Sequence, residues 1–306
     1  MAGLIGLDWG TSSLRAYRYD GAGGIAEARA RPWGIRQLPA GGYDAALADI
    51  TAGWPALPRL ACGMVGSRGG WREVPYLELP AGTSRLGGAL ESVRAADGMD
   101  VHLVPGLRDP QGPDVMRGEE TQLAGALALR PELAAASSFI LPGTHSKWAV
   151  VRDGSVTGFR TLMTGELYAL LQHHSILGGN AAASEDAGAF ARGVAAARDS
   201  GAAGALSRLF SARALMLDGA LAPASVPDYL SGLMIGEEFR AALADGLARR
   251  DKPLQLIGDA VLCERYRRAA ALFDIALPPP LQDAAAHGLW RIAVQAGIAS
   301  KETLAC

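Results

Sequence analysis

The stretch GTSSLRAYRYDG, residues 10–21, decides how this chain is read, because GTHSKWAVVRDG repeats it at residues 143–154. Aligned without a gap, Gly10/Gly143, Thr11/Thr144, Ser13/Ser146, Ala16/Ala149, Asp20/Asp153 and Gly21/Gly154 are identical, six of twelve columns. Each copy follows an apolar run, LIGLDW in one case and FILP in the other. Strand, Gly-Thr turn, strand and closing Asp-Gly spell a β-hairpin with a small, hydroxyl-bearing tip. Such a tip presents backbone N–H groups and hydroxyls with no bulky side chain in the way, which suits phosphate. Two ordinary tight hairpins would carry the same pattern. Asp8, just before the first tip, favours the functional reading, in which the two tips grip one polyphosphate from both sides.

Outward from the tips, both halves follow one plan. LIGLDW, LRAYRY and GIAEARAR read as three strands. YDAALADITAGW follows as a helix carrying Ala46, Leu47, Ile50 and Trp54 at helical spacing. RLACGMV reads as a buried strand, SRLGGALESVRAA as a helix, and DVHLVPGL as a strand ended by Pro105 and Gly106. EETQLAGALALRPEL is predicted helical, with Glu119 and Glu120 in the first turn, where the macrodipole favours negative charge. The second half opens with strands in SSFILPG, KWAVVRDG and VTGFRTLM, then the helix ELYALLQHHSI. Ala-rich helices run from Ser184 to about Gly246, including DYLSGLMIGEEFRAAL, read as amphipathic. PLQLIG is a strand, and DAVLCERYRRAAALF and LQDAAAHGLWRIAVQAG are the closing helices. Three strands followed by alternating helix and strand, twice over, describe an α/β protein of two related lobes.

Composition sets the boundaries of function. The 306 residues allow about two domains. A content of 49% hydrophobic and 20% charged residues is that of an ordinary globular protein. A net charge of −2 leaves no electrostatic footprint for nucleic acid or an anionic membrane, so small molecules are the expected partners. Cys62, Cys263 and Cys306 lack any CxxC spacing, which points to a reducing compartment rather than a disulfide framework or zinc site. With no signal-like N-terminus and no run of 18 apolar residues, the expectation is a cytoplasmic protein without a membrane span. GAGGIA, residues 21–26, fits GxGxxA but precedes no helix, and no GxxxxGK[ST] is present. Neither a dinucleotide fingerprint nor a P-loop is therefore expected.

DWGTSS (residues 8–13), LPGTHSK (141–147) and IGDAVLCERYRRAA (257–270) resemble the first phosphate loop, second phosphate loop and adenosine segment of the actin-like ATPase and sugar kinase superfamily. Within it, LDWGTSSLRAYRYD, GMVGSRGGWREVPYL, PDVMRGEETQL, LPGTHSKW and MTGELYALLQHHSIL are similar to the 2-dehydro-3-deoxygalactonokinase family nearly end to end. The resemblance implies two related lobes of ribonuclease H-like fold with an ATP cleft between them. Residues 1–136 would form the sugar-binding lobe, joined by a C-terminal helix over 281–306, and residues 137–280 the nucleotide lobe. It further implies ATP-dependent phosphorylation of the C6 hydroxyl of 2-dehydro-3-deoxy-D-galactonate. A kinase of another sugar acid or anhydrosugar, or an actin- or chaperone-like ATPase without acceptor, stands as the alternative. Oligomeric state is left open, with a homodimer among the options.

On that reading Asp8 would hold Mg²⁺, which is satisfied by one or two carboxylates, phosphate oxygens and water. Gly10, Thr11, Ser12 and Ser13 would meet the phosphates from one lobe, and Gly143, Thr144, His145 and Ser146 from the other; His145 serves equally well as a structural hydrogen-bonding group. Arg15 and Lys147 lie just beyond the tips, as phosphate or substrate ligands or as solvated cations. Related sugar kinases place a catalytic Asp at the start of the helix before the second loop. Here RGEETQLAGAL offers Glu120, then Glu119, with Asp114 in the preceding loop. SRGGWRE contributes Ser67, Arg68, Gly69, Trp71 and Arg72 to substrate binding, Arg68 or Arg72 pairing with a carboxylate as a bidentate fork. Thr164 and Glu166 would approach the sugar, and Gly258 and Asp259 the nucleotide.

Overall fold

The computed structural model describes residues 3–178 and 185–299. The chain divides into two units, one comprising residues up to Ala135, Val151–Gly158 and residues from Asp283 on, the other Ala136–Val150 and Phe159–Gln282. Cys306, the C-terminal part of the 281–306 helix expectation (300–306), and Ser184 lie outside the described residues.

In the first unit β1 (Ile5–Trp9), β2 (Leu14–Tyr19) and β3 (Ile25–Arg31) form the expected meander, followed by α1 (Gly42–Ile50) and β4 (Arg59–Cys62). Next come β5 (Leu77–Glu78), β6 (Ala81–Gly82), β7 (Glu91–Arg94), β8 (Asp100–Leu103), β9 (Leu107–Asp109), β10 (Asp114–Met116) and α2 (Glu119–Leu129). The main sheet has the order β3-β2-β1-β4-β8-β7, with β1 antiparallel to β2 and parallel to β4. Its core gathers Leu7, Trp9, Leu14, Ala16, Leu47, Ile50 and Leu103.

The second unit holds β11 (Ala136–Leu141) and most of β12 (Ser146–Arg152), whose end, with the first half of β13 (Ser155–Leu162), is counted with the first unit; the rest of β13 is followed by α3 (Thr164–His174), α4 (Ala187–Arg198), α5 (Ser211–Leu217), α6 (Val226–Ala244), β14 (Leu254–Leu256) and α7 (Ala260–Ala271). The order β13-β12-β11-β14, with β11 parallel to β14, repeats β3-β2-β1-β4. The duplication first seen in twelve residues is therefore a duplication of sheet topology. Helix α8 (Ala284–Gln295) returns to the first unit and crosses α2. Each unit joins two helices through paired glycines. A Cβ on Gly125 or Gly288 would fall within 2 Å of the facing backbone, and one on Gly193 or Gly232 at 2.0 and 2.1 Å.

Four sequence expectations are corrected. SRLGGALESVRAA is not a helix: a 3-10 turn over Thr83–Gly88 gives way to β7, which pairs antiparallel with β8 through the Asp97–Gly98 turn, Gly98 having φ 80°. The Asp-Gly turn signal outweighs apolar spacing there. Helix α1 stops at Ile50, leaving Trp54 beyond it under the Arg29 guanidinium at 4.4 Å. Helix α6 is not amphipathic but buried on nearly every side, from Val226 to Ala242. The last helix among the described residues spans Ala284–Gln295, inside the expected 281–306.

Candidate active site

The first tip closes when Gly10 N–H donates to the Ser13 carbonyl at 2.9 Å. The segment after β3 holds it from behind: Ile35 and Arg36 N–H donate to the Gly10 and Thr11 carbonyls at 3.0 and 3.2 Å. Gly34 is required at this crossing, since a Cβ would lie 2.2 Å from the Thr11 and Ser12 backbone. Ser12 and Ser13 are left exposed and Thr11 half-exposed.

Asp8 sits at the end of β1, opposite Arg15 on β2 and Cys62 on β4. Gly63 and Gly118, with φ 91° and 108°, allow the chain after β4 and the start of α2 to meet, a Gly118 Cβ position being 3.3 Å from Gly63 Cα. This brings Glu119 and Glu120 to the same end of the sheet. Burial raises the Asp8 carboxyl above its ordinary range, Arg15 opposes the shift, and the Glu119 charge adds to it. Glu120 is fully buried and accepts from Gly118 N–H at 2.7 Å and the Thr121 hydroxyl at 2.9 Å. Burial, then the Glu119 charge, push its carboxyl up to about 7. Glu119 is half-exposed and accepts from Arg117 N–H at 3.0 Å. Asp114 lies apart in β10, opposite Asp109, with its Oδ1 on Val115 N–H.

The SRGGWRE segment is tied to the first tip by rings. Trp71 stacks on Tyr43 with centroids 5.3 Å apart, and both meet Trp9, the residue before Gly10, edge-on. Ser67 is buried with its hydroxyl on the Met64 carbonyl, so it serves the turn. Arg68 and Gly69 are exposed, and Arg72 lies 3.6 Å from Glu91. Sequence reasoning passed over Arg117, whose buried guanidinium covers the Tyr76 ring at 4.3 Å and donates to the Val74 carbonyl at 2.7 Å, pinning the end of this loop.

The second tip is seated on the start of α3. Glu166 N–H donates to the Thr144 carbonyl at 3.1 Å, and a Cβ on Gly165 would lie 2.7 Å from the Gly143 carbonyl oxygen. His145 pairs with Glu166 at 2.5 Å on the exposed side, and Lys147, mostly buried, donates to the His145 carbonyl at 3.3 Å. Ser146 is fully buried and donates to Glu238 at 2.9 Å, so its hydroxyl points inward. Thr164 is likewise buried and bonded to Glu238. Thr164 and Glu166 both stand at the start of α3, beside the second tip. Beside this tip opens a cavity of about 530 Å³ lined by Thr144, Tyr168, Met234, Ile235, Leu262 and Arg265 among others. Gly258, with φ 147°, leads into Asp259, which caps α7 by accepting from Val261 and Leu262 N–H.

No group of three His, Cys, Asp or Glu side chains able to hold a metal occurs among the described residues. Asp8, with Glu119 electrostatically coupled to it, does fit Mg²⁺. That ion needs only one or two carboxylates, and its charge would relieve their mutual repulsion.

The 2-keto-3-deoxy-galactonokinase family model matches residues 8–292. The chain is 38% identical over 273 residues to the 2-dehydro-3-deoxygalactonokinase of Escherichia coli (strain K12), covering 88% of this chain and 89% of that one. A solved structure of a Sinorhizobium meliloti protein assigned as a 2-dehydro-3-deoxygalactonokinase superposes with a TM-score of 0.86 at 35% identity, over 95% of this chain and 98% of that one. The activator of 2-hydroxyisocaproyl-CoA dehydratase from Clostridium difficile, at 10% identity and a TM-score of 0.51 over 97% and 95% of the two chains, shares the fold.

Proposed function

The chain belongs to the 2-keto-3-deoxy-galactonokinase family, and from that premise we propose that it transfers the γ-phosphoryl group of ATP to the C6 hydroxyl of 2-dehydro-3-deoxy-D-galactonate, giving the 6-phosphate. It is an enzyme, an ATP-dependent sugar-acid kinase with the α/β fold of actin-like ATPases and sugar kinases. The observation that carries the substrate reading is the family match from Asp8 to Ile292, which takes in every residue given a role below.

Phosphoryl transfer rests on positioning and charge stabilisation, so a carboxylate that orients the attacking hydroxyl suffices. We assign that role to Glu119 and make Glu120 its buried support, the reverse of the order expected from sequence. A fully enclosed carboxylate cannot accept from a substrate hydroxyl, whereas Glu119 is half-exposed and coupled to Asp8. Asp8 would hold Mg²⁺, which when bound neutralises phosphate charge. The amides and hydroxyls of Gly10–Ser13 and of Gly143–Thr144 would bind phosphate oxygens. The second unit's cavity, apolar at Met234, Ile235 and Leu262 with Arg265 and Ser231 as polar groups, suits adenosine. Arg68, exposed beside the ring cluster, is the proposed contact for the substrate carboxylate.

Among the described residues no helix is long and apolar enough to cross a membrane. The deciding experiment is a coupled ADP-release assay across 2-keto-3-deoxy sugar acids, aldonic acids and a neutral analogue lacking the carboxylate. Turnover should be greatest with 2-dehydro-3-deoxy-D-galactonate. Arg68→Lys should cost about ten- to hundredfold in kcat/KM and narrow the preference for acid over neutral analogue, since a lysine cannot form the bidentate fork. Equal turnover with and without acceptor would replace the kinase reading by an ATPase, and an unchanged Arg68→Lys preference would move the carboxylate contact elsewhere.

A further inference from the structure

Helix α6 carries two buried acids that the proposed chemistry does not use, Asp228, which is paired with Arg265 at 2.5 Å, and Glu238. Glu238 is fully enclosed, and four donors converge on its carboxylate: Ser146 Oγ at 2.9 Å, Trp148 Nε1 at 2.8 Å, Tyr266 OH at 2.6 Å and the Thr164 hydroxyl. Tyr266 OH also approaches Ser146 Oγ at 3.3 Å. Stability alone gives little reason for such a group, because well-packed apolar residues commonly replace buried charges without loss.

The identity of the donors supplies the reason. Thr164, at the start of α3, and Tyr266, on α7, both line the 530 Å³ cavity, and Ser146 stands two residues after Thr144, which lines it too. Ser231, Met234 and Ile235 of α6 form another part of the cavity wall, and Glu238 follows at the next turn on the same helical face. One carboxylate thus ties β12, α3, α6 and α7 together just past the end of the cavity, without lining it.

We infer that Glu238 is a positioning residue of the nucleotide site, holding the second Gly-Thr tip and the α3 and α7 walls of the cavity in the geometry that receives the nucleotide. This inference rests on the assignment of that cavity to nucleotide. Fixed walls and a fixed tip lower the ordering that binding would otherwise have to impose, so loss of the carboxylate weakens nucleotide binding before it affects the sugar acid.

The test is calorimetric titration of the full chain with ADP, sugar acid omitted, alongside ATP and sugar-acid kinetics. Glu238→Gln keeps the shape while turning one acceptor into a donor. Its ADP affinity should fall about tenfold, the scale of one lost charge-assisted hydrogen bond. KM for ATP should rise in step, and KM for the sugar acid should stay within about twofold of wild type. Trp148→Phe removes one donor from a side chain outside the cavity lining and should shift ADP affinity in the same direction, which keeps the test open if Glu238→Gln does not fold. A folded Glu238→Gln or Trp148→Phe protein that melts lower yet binds ADP as wild type does would reduce Glu238 to a core group and overturn the inference. Wild-type protein that fails to bind ADP would remove the nucleotide assignment itself, and the inference with it.

Discussion

The two Gly-Thr tips have the same strand order around them, yet put identical columns of sequence to different uses. Ser13 faces solvent, whereas Ser146 is buried against Glu238. Arg15 is exposed where the second copy has the enclosed Trp148. Asp8 precedes the first tip, and Leu141 holds the equivalent place before the second. Even the shared Asp-Gly turns differ. Asp153 and Gly154 both adopt positive φ, as a two-residue type I′ turn requires, while Asp20 wraps a longer turn by accepting from Ala22 and Gly24 N–H. What the copies keep is the backbone frame and a glycine that lets a later segment close on the tip, Gly34 in one and Gly165 in the other. The first tip keeps Ser12 and Ser13 exposed with an acid ahead of it; the second is braced from within.

If the acid marks the chemical tip, removing it should have the largest effect. Asp8→Asn should lower kcat by at least about 10²-fold and raise the Mg²⁺ concentration for half-maximal rate, because an amide lacks the anionic oxygen that holds the ion. Glu119→Gln should depress kcat more than Glu120→Gln with little change in KM. A Mg²⁺ titration identical to wild type would leave Asp8 as a turn-capping group and the two tips chemically equivalent. Thr11→Val and Thr144→Val test whether both tips bind phosphate. Each should cost on the order of 10²-fold in turnover with ATP, by analogy with other positioned donors. A loss confined to one variant would make the other copy a structural echo.

The serine column sharpens the contrast at a smaller scale. Ser146→Ala strips a donor from a buried carboxylate and should destabilise the protein by about 1.5–3 kcal/mol. Ser13→Ala should change stability by less than about 0.5 kcal/mol, with its effect confined to kinetics. Equal melting shifts in the two variants would contradict the difference in burial.

Much of this frame was legible because strand and turn signals are local. LIGLDW and SSFIL are short apolar runs bounded by Gly-Thr turns, and they became β1 and β11. The misread SRLGGALESVRAA shows the limit: its apolar spacing is helical, but a partner strand, β8, takes Glu91–Arg94 into the sheet. At the site, the Glu119–Glu120 pair was visible as acids opening a helix. Which of them is enclosed depends on how Gly63 and Gly118 pack, and that contact exists only after folding. Glu238 gave no signal at all. It sits in a helix whose pattern looked amphipathic, and its four donors come from residues 74 to 92 positions earlier and 28 later. Gly34 and Gly165 were hidden for the same reason, since neither lies in a turn motif and each is needed only where it meets a tip.

The smallest effect separates the two enclosed carboxylates, Glu120 and Glu238. Burial raises both, but four donors meet Glu238, whereas Glu120 is met by the Gly118 N–H and the Thr121 hydroxyl and has the Glu119 charge beside it. In the unfolded chain Glu120 releases its proton near the ordinary 4.5; in the folded protein it keeps the proton up to about 7. Between those values the folded state binds more protons, so its stability must fall as pH rises through the window and level off above it. The slope from this one group is on the order of 1 kcal/mol per pH unit. Glu120→Gln cannot titrate and should lack that component. Tm measured from pH 5 to pH 8 should therefore drop by a few degrees more in wild type than in the variant, the two curves converging toward their constant offset above pH 7. Parallel curves across the whole range would mean that Glu120 does not titrate within this window, and burial beside Glu119 would then not hold its proton.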